Sequence, residues 1–107
     1  MKYIIDKHTL DNAVFTYLDI MLGSLEKRKP KYYEGIVFAY PNQEFGILGW
    51  RNDNTLGVNY ELVEKISDFF GLDEIDSEEL IGRWFSNRLQ IEVRNTYQTL
   101  GDTLRPG

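Results

Sequence analysis

Five carboxylates fall within a short stretch of this chain: Asp73, Glu74, Asp76, Glu78 and Glu79. Two carboxylates held close together can divide the work of general acid and general base, one protonated and the other ionised. The same residues, however, open a stretch with helical periodicity. Asp76 with Glu79 makes an Asp-x-x-Glu start signal resembling a capping box. Negative charge at a helix N-terminus is favoured by the helix dipole without any catalytic demand. An enzyme using the acidic cluster around Asp76–Glu79 therefore stands only as a second alternative, and no substrate is suggested for it.

The polar run Asn52–Asp53–Asn54 raises a different chemistry, that of a calcium loop. Counting from Asp53 puts Thr55 at position three, Gly57 at five and Glu64 at twelve. The twelfth-position carboxylate fits, but the glycine arrives one place early and Val58 takes the sharp-turn position. Strand-like sequence on both sides favours a plain hairpin turn. Gly46, Gly49 and Gly57 match neither a dinucleotide nor a phosphate fingerprint. Within strands such glycines mark bulges or a close approach of backbone. His8 is the only histidine and there is no cysteine. That removes disulfides, thiol catalysis and cysteine-based metal sites, and it leaves a histidine triad or zinc hydrolase without partners. No catalytic residue, cofactor or metal ligand is assigned.

The elements that must carry these residues can be read from periodicity. At 107 residues, 42 % hydrophobic and 14 % aromatic, the chain is one domain of ordinary globular composition. Residues 1–100 are expected to form that domain and 101–107 a flexible tail. "MKYIID" is β-prone, and Thr9 or Asp6 can cap a helix after it. Leu10, Val14, Tyr17, Leu18, Met21, Leu22 and Leu25 then recur at three- and four-residue spacing, one apolar stripe on an amphipathic helix closed by Gly23. "YYEGIVFAY", "FGILGW" and "TLGVNY" read as three strands, joined by turns at Pro41–Asn42 and Arg51–Asn54. Leu56, Val58 and Tyr60 share one face of the third strand. Two helices follow. The first carries Leu62, Val63, Ile66, Phe69 and Phe70 and closes at Gly71; the second carries Leu80, Ile81, Trp84, Phe85 and Leu89. "QIEVRNTY" is either a short edge strand or an extended tail.

The fold class is thus α+β: an N-terminal helix, a three-stranded antiparallel meander and a C-terminal helical hairpin. The expected core includes Leu18, Phe38, Ile47, Val58, Ile66, Phe69, Ile81, Trp84 and Phe85. Strands apolar on both faces need cover on both, which the first helix on one side and the last two on the other would supply. The alternative keeps one face for a partner.

Charge narrows the partners. The net charge is −5, with eight acidic residues between Glu61 and Leu80 against Lys65 alone. Lys27, Arg28, Lys29 and Lys31 form an opposing basic segment. The two C-terminal helices superficially resemble a helix-turn-helix, but the second begins with Asp76, Glu78 and Glu79, which phosphates repel. Nucleic acid is therefore disfavoured. No apolar run approaches the roughly 18 residues that span a bilayer, and the N-terminus lacks the features of a signal peptide. The chain reads as cytoplasmic, with no membrane partner.

"MKYIID" before a short amphipathic helix, together with "IGRWFSNRLQIEV", resembles small uncharacterised proteins of tailed phages. That resemblance implies expression in a bacterial host's cytoplasm or packaging in a virion, and it transfers no activity or site residue. The leading function is a small acidic, non-enzymatic protein-binding module, such as a phage-type modulator or inhibitor of a host protein. A structural subunit that self-assembles is the first alternative, so the partner is another protein or a second copy in a homodimer. The partner-binding residues expected are Trp50, Tyr40 and Arg51, because tryptophan, tyrosine and arginine dominate interface hot spots. A core role for Trp50 competes equally.

Overall fold

The computed structural model describes residues 7–30, 33–43 and 46–99. In order these form α1 (Lys7–Leu22), β1 (Glu26–Arg28), β2 (Gly35–Ala39), β3 (Leu48–Arg51), β4 (Thr55–Asn59), α2 (Tyr60–Phe70), α3 (Glu74–Leu89) and β5 (Asn95–Thr99). The α+β class holds, but the sheet has five strands rather than three, in sequential order β1-β2-β3-β4-β5. The expected meander is its centre, β2 to β4, antiparallel throughout. β1 joins antiparallel at one edge and β5 joins parallel at the other.

Local chemistry explains both additions. Gln43 N–H donates to the Tyr40 carbonyl at 3.0 Å, closing the turn at Pro41–Asn42 as expected. Arg28 reaches across from β1 to donate to the carbonyls of Tyr40, Pro41 and Gln43, so the basic segment is held to that turn. At the next turn Asn54 takes a left-handed φ of 67°. The Asp53 carboxylate accepts from the amide and hydroxyl of Thr55; the hydroxyl bond above all holds its pKa below the usual carboxylate range. This is an Asx turn between strands, not a calcium loop. The 91–94 segment then docks onto the turn. Arg94 N–H donates to the Asn54 carbonyl at 2.7 Å, and Asn54 Nδ2 donates to the Glu92 carboxylate. That docking sets β5 alongside β4.

β4 becomes helix one residue earlier than its alternation implies. Leu56 and Val58 are buried, but Tyr60 is the first residue of α2 and is exposed. Asn59 causes the switch: its side-chain oxygen accepts from Glu61 N–H at 2.9 Å as the N-cap, while its Nδ2 donates to the Gly46 carbonyl. Gly71 closes α2 in the left-handed conformation, as expected. α3 begins three residues before the expected start. Asp73 is its N-cap, accepting from Asp76 N–H at 2.7 Å. α1 starts before Thr9, so Thr9 is helical rather than a cap, whereas Asp6 and the "MKYIID" segment lie outside the described residues, as does 100–107. Leu25 falls beyond the end of α1, and Gly23 follows that end without a left-handed φ.

All three helices pack on one face of the sheet, not on two. The register pairs Ile36 with Trp50 and Trp50 with Leu56, and Phe38 with Leu48 and Leu48 with Val58, which puts these six on a common face. Their core partners are Val14, Leu18 and Leu22 of α1, Leu62, Val63 and Ile66 of α2, and Leu80, Ile81, Trp84 and Phe85 of α3. Phe38 meets Phe85 edge-on at 5.3 Å. Of the expected core, Leu18, Phe38, Val58, Ile66, Ile81, Trp84 and Phe85 are buried, and Ile47 is half-buried against them. Phe69 is not core: it is 68 % exposed. Val37 and Ala39, on the opposite sheet face, are also fully buried but stand outside this cluster.

Candidate functional site

The three residues singled out for partner binding do not share a surface. Trp50 is half-buried on the helix-facing side, packed against the core, and its indole N–H donates to the Glu92 carbonyl at 3.2 Å. Tyr40 lies beyond the other end of the β2–β3 ladder, its hydroxyl donating to the Met21 carbonyl; burial, with Tyr17 adding, raises its pKa. Arg51, next to Trp50 along the strand, points to the opposite face. There its guanidinium sits 4.5 Å from the Tyr33 ring centre, and its Nε donates to the Tyr97 hydroxyl at 3.1 Å. The Tyr97 ring in turn lies over Gly57, where an added Cβ would stand 2.8 Å from it. Burial pushes the Tyr33 phenol up to about 12, Tyr97 adding to the effect and Arg51 opposing it. Period-two alternation separates Trp50 from Arg51, and the hairpin's length separates Trp50 from Tyr40.

A contiguous exposed apolar surface is present elsewhere, where α1 and α2 meet. The buried stripe of α1 uses Val14, Leu18 and Leu22, leaving Ala13, Tyr17 and Ile20 one face over. α2 buries Leu62, Val63 and Ile66, and its last turn then carries two adjacent aromatics where the stripe has room for one. Phe70 is half-buried and Phe69 turns out. Tyr17 stacks on Phe69 at 5.0 Å between ring centres and 20° between planes. Phe70 meets Tyr17 at 5.6 Å and Phe69 at 4.9 Å, both edge-on. Ile20, 81 % exposed, extends this aromatic triad along α1.

Charged residues line the exposed side of α2 beyond the patch. Tyr60, Glu64 and Asp68 follow one another at four-residue spacing along the exposed side of α2, and Asp68 precedes Phe69 directly. Their proximity shows in the Tyr60 phenol, whose pKa is raised chiefly by the charge of Glu64, with Glu74 and Asp68 contributing. None of Glu64, Asp68 and Glu74 has an ion-pair partner among the described residues. The surface is therefore aromatic at its centre, with exposed Lys65 one turn before Phe69 and Glu61, Glu64 and Asp68 further round the exposed side of α2.

Chemically the patch offers exposed aromatic and aliphatic area and no grouping of catalytic side chains. The acidic residues at the start of α3 serve the helix, Asp73 as its cap and Asp76 in its first turn, where the dipole favours negative charge. No group of three His, Cys, Asp or Glu residues among those described is placed to hold a metal ion. No described helix is long and apolar enough to cross a membrane. Comparison of the chain with protein-family models, with curated proteins and with solved structures finds no match.

Proposed function

We propose that this chain is a small, non-enzymatic protein-binding module that engages its partner through the Tyr17–Phe69–Phe70 surface, with Ile20 at its margin. The observation that carries this reading is the exposure of Phe69 and Ile20 beside two further aromatic rings. A single exposed apolar residue is ordinary, whereas a contiguous patch with a charged rim is the usual form of an interaction site. Glu61, Glu64 and Asp68 outnumber Lys65 on the exposed side of α2, which favours a partner that presents lysine or arginine around an apolar anchor. The resemblance to tailed-phage proteins supports a modulator or inhibitor of a host protein, acting in the bacterial cytoplasm.

The test is affinity capture from bacterial lysate with the wild-type chain and with Phe69→Ser and Ile20→Ser, each checked for an unchanged unfolding midpoint. A partner held by wild type and released by both variants supports the module. A partner held equally by all three places the interface elsewhere. Light scattering after size exclusion separates a self-assembling subunit, whose mass would fall to that of one chain in the same variants.

A further inference from the structure

A second site lies on the other side of α1. A cleft of about 250 Å³ opens between the C-terminal halves of α1 and α3 and the β1 edge of the sheet. Its floor is apolar, made by Phe38 and Leu48 with the buried face of Trp84. Its rim carries Asp19, Lys27 and Arg88. Asp19 and Arg88 satisfy each other through paired hydrogen bonds of 2.7 and 2.9 Å. Lys27 does not share in this. The register pairs it with Phe38, so it stands on the helix-facing side of the sheet edge, and it has no ion pair among the described residues. The cleft thus combines an apolar floor, one uncompensated cation and walls already fixed by the Asp19 contacts.

We infer that this cleft binds a small carboxylic acid built on a single ring or short alkyl chain, the apolar part on Phe38, Leu48 and Trp84 and the carboxylate against Lys27. The volume sits below the range of pockets that take drug-sized ligands, which limits the ligand to a fragment of about one ring. A free ammonium beside apolar surface selects an anion with an apolar body over a neutral molecule of the same shape, and over an inorganic anion that leaves the floor uncovered. A cationic ligand has Asp19 to meet, but that carboxylate already accepts from Trp84 and from both arms of Arg88.

The probe is 3-phenylpropionate, with 3-phenylpropionamide as its uncharged counterpart, followed by amide and side-chain NMR shifts in the full chain. The acid is expected to shift resonances of Phe38, Leu48 and Trp84 with millimolar or tighter affinity, and the amide to bind at least tenfold more weakly. Lys27→Gln should remove that preference and Lys27→Arg restore it, since Lys27 is exposed at a strand edge and either replacement leaves the core intact. Equal binding of acid and amide, shifts confined to other parts of the molecule, or no binding of the acid at 10-fold above the millimolar range would each overturn the assignment.

Discussion

The carboxylate of Asp19 on α1 accepts the indole N–H of Trp84 on α3 at 2.8 Å, across 65 positions of sequence. The same carboxylate takes the Arg88 guanidinium one turn further along α3. One acidic side chain therefore locks the first helix to the third and satisfies the polar end of a buried tryptophan. Asp19→Ala is expected to destabilise the fold by about 1–3 kcal/mol, because it strands the indole donor as well as breaking a bidentate pair. Asp19→Asn keeps an acceptor for the indole and should cost less. Denaturant unfolding of the two variants at neutral pH checks the order.

The same pair sets a pH dependence. The hydrogen bonds from Arg88, and then from Trp84, hold the Asp19 pKa below its ordinary value of 3.8. A depressed folded-state pKa gives stability that is present in full above the unfolded-state value and is lost as pH falls through the folded one. Wild type should therefore lose stability below about pH 4 more steeply than Asp19→Asn, which has no proton to bind there. Parallel acid limbs in urea titrations from pH 6 to pH 2.5 would show that this pair contributes nothing to acid unfolding.

Trp84 and Phe69 should respond in opposite ways. Trp84 is 6 % exposed within the core and Phe69 is 68 % exposed, so Trp84→Ala should cost about 3–5 kcal/mol. Phe69→Ser should stay within about 1 kcal/mol of wild type while abolishing partner association. Thermal or chemical unfolding, paired with a binding measurement, reads both.

Trp50 belongs with Trp84 rather than with Phe69. Its ring packs against the core and its N–H is committed to the Glu92 carbonyl. Trp50→Ala is expected to cost about 2–4 kcal/mol, short of a fully buried aromatic. A loss under about 1 kcal/mol in denaturant unfolding would instead mark Trp50 as a surface residue.

Gly57→Ala tests the opposite sheet face. The added methyl would stand 2.8 Å from the Tyr97 ring, and that ring is held by Arg51. A destabilisation of about 1–3 kcal/mol is expected from the overpacking. Combining it with Tyr97→Ala should cost less than the two changes separately, the coupling expected of neighbours in contact.

Periodicity carried the helices and the central strands because burial on one face writes itself into spacing. Val14, Leu18 and Leu22, and Leu80, Ile81, Trp84 and Phe85, stand where their spacing placed them. The sheet edges were less legible. β1 and β5 read Glu-Lys-Arg and Asn-Thr-Tyr-Gln-Thr, with little apolar alternation, and their pairing depends on the distant hydrogen bonds of Arg28 and Asn54. The exposure of individual aromatics was also hard to read. Phe69 shares the apolar type and spacing of a core residue, yet it is Phe70 beside it that packs against the core while Phe69 stays exposed. Trp50 has the composition of a hot spot, but the strand's pleat aims it inward.

The parallel pairing of β5 with β4 also governs the order in which the chain can fold. Strands β1 to β4 meet their neighbours through short connections, and their contacts can form early at small loop-closure cost. β5 finds β4 only after α2 and α3 have been threaded between them, since Thr55 pairs with Asn95. Contacts of such long sequence separation reward the chain late. β5 is therefore the strand expected to join the sheet last, its amides gaining protection during refolding after those in β2 and β3. The docking of Glu92 and Arg94 on the Asn54 turn would act as the latch that holds it closed.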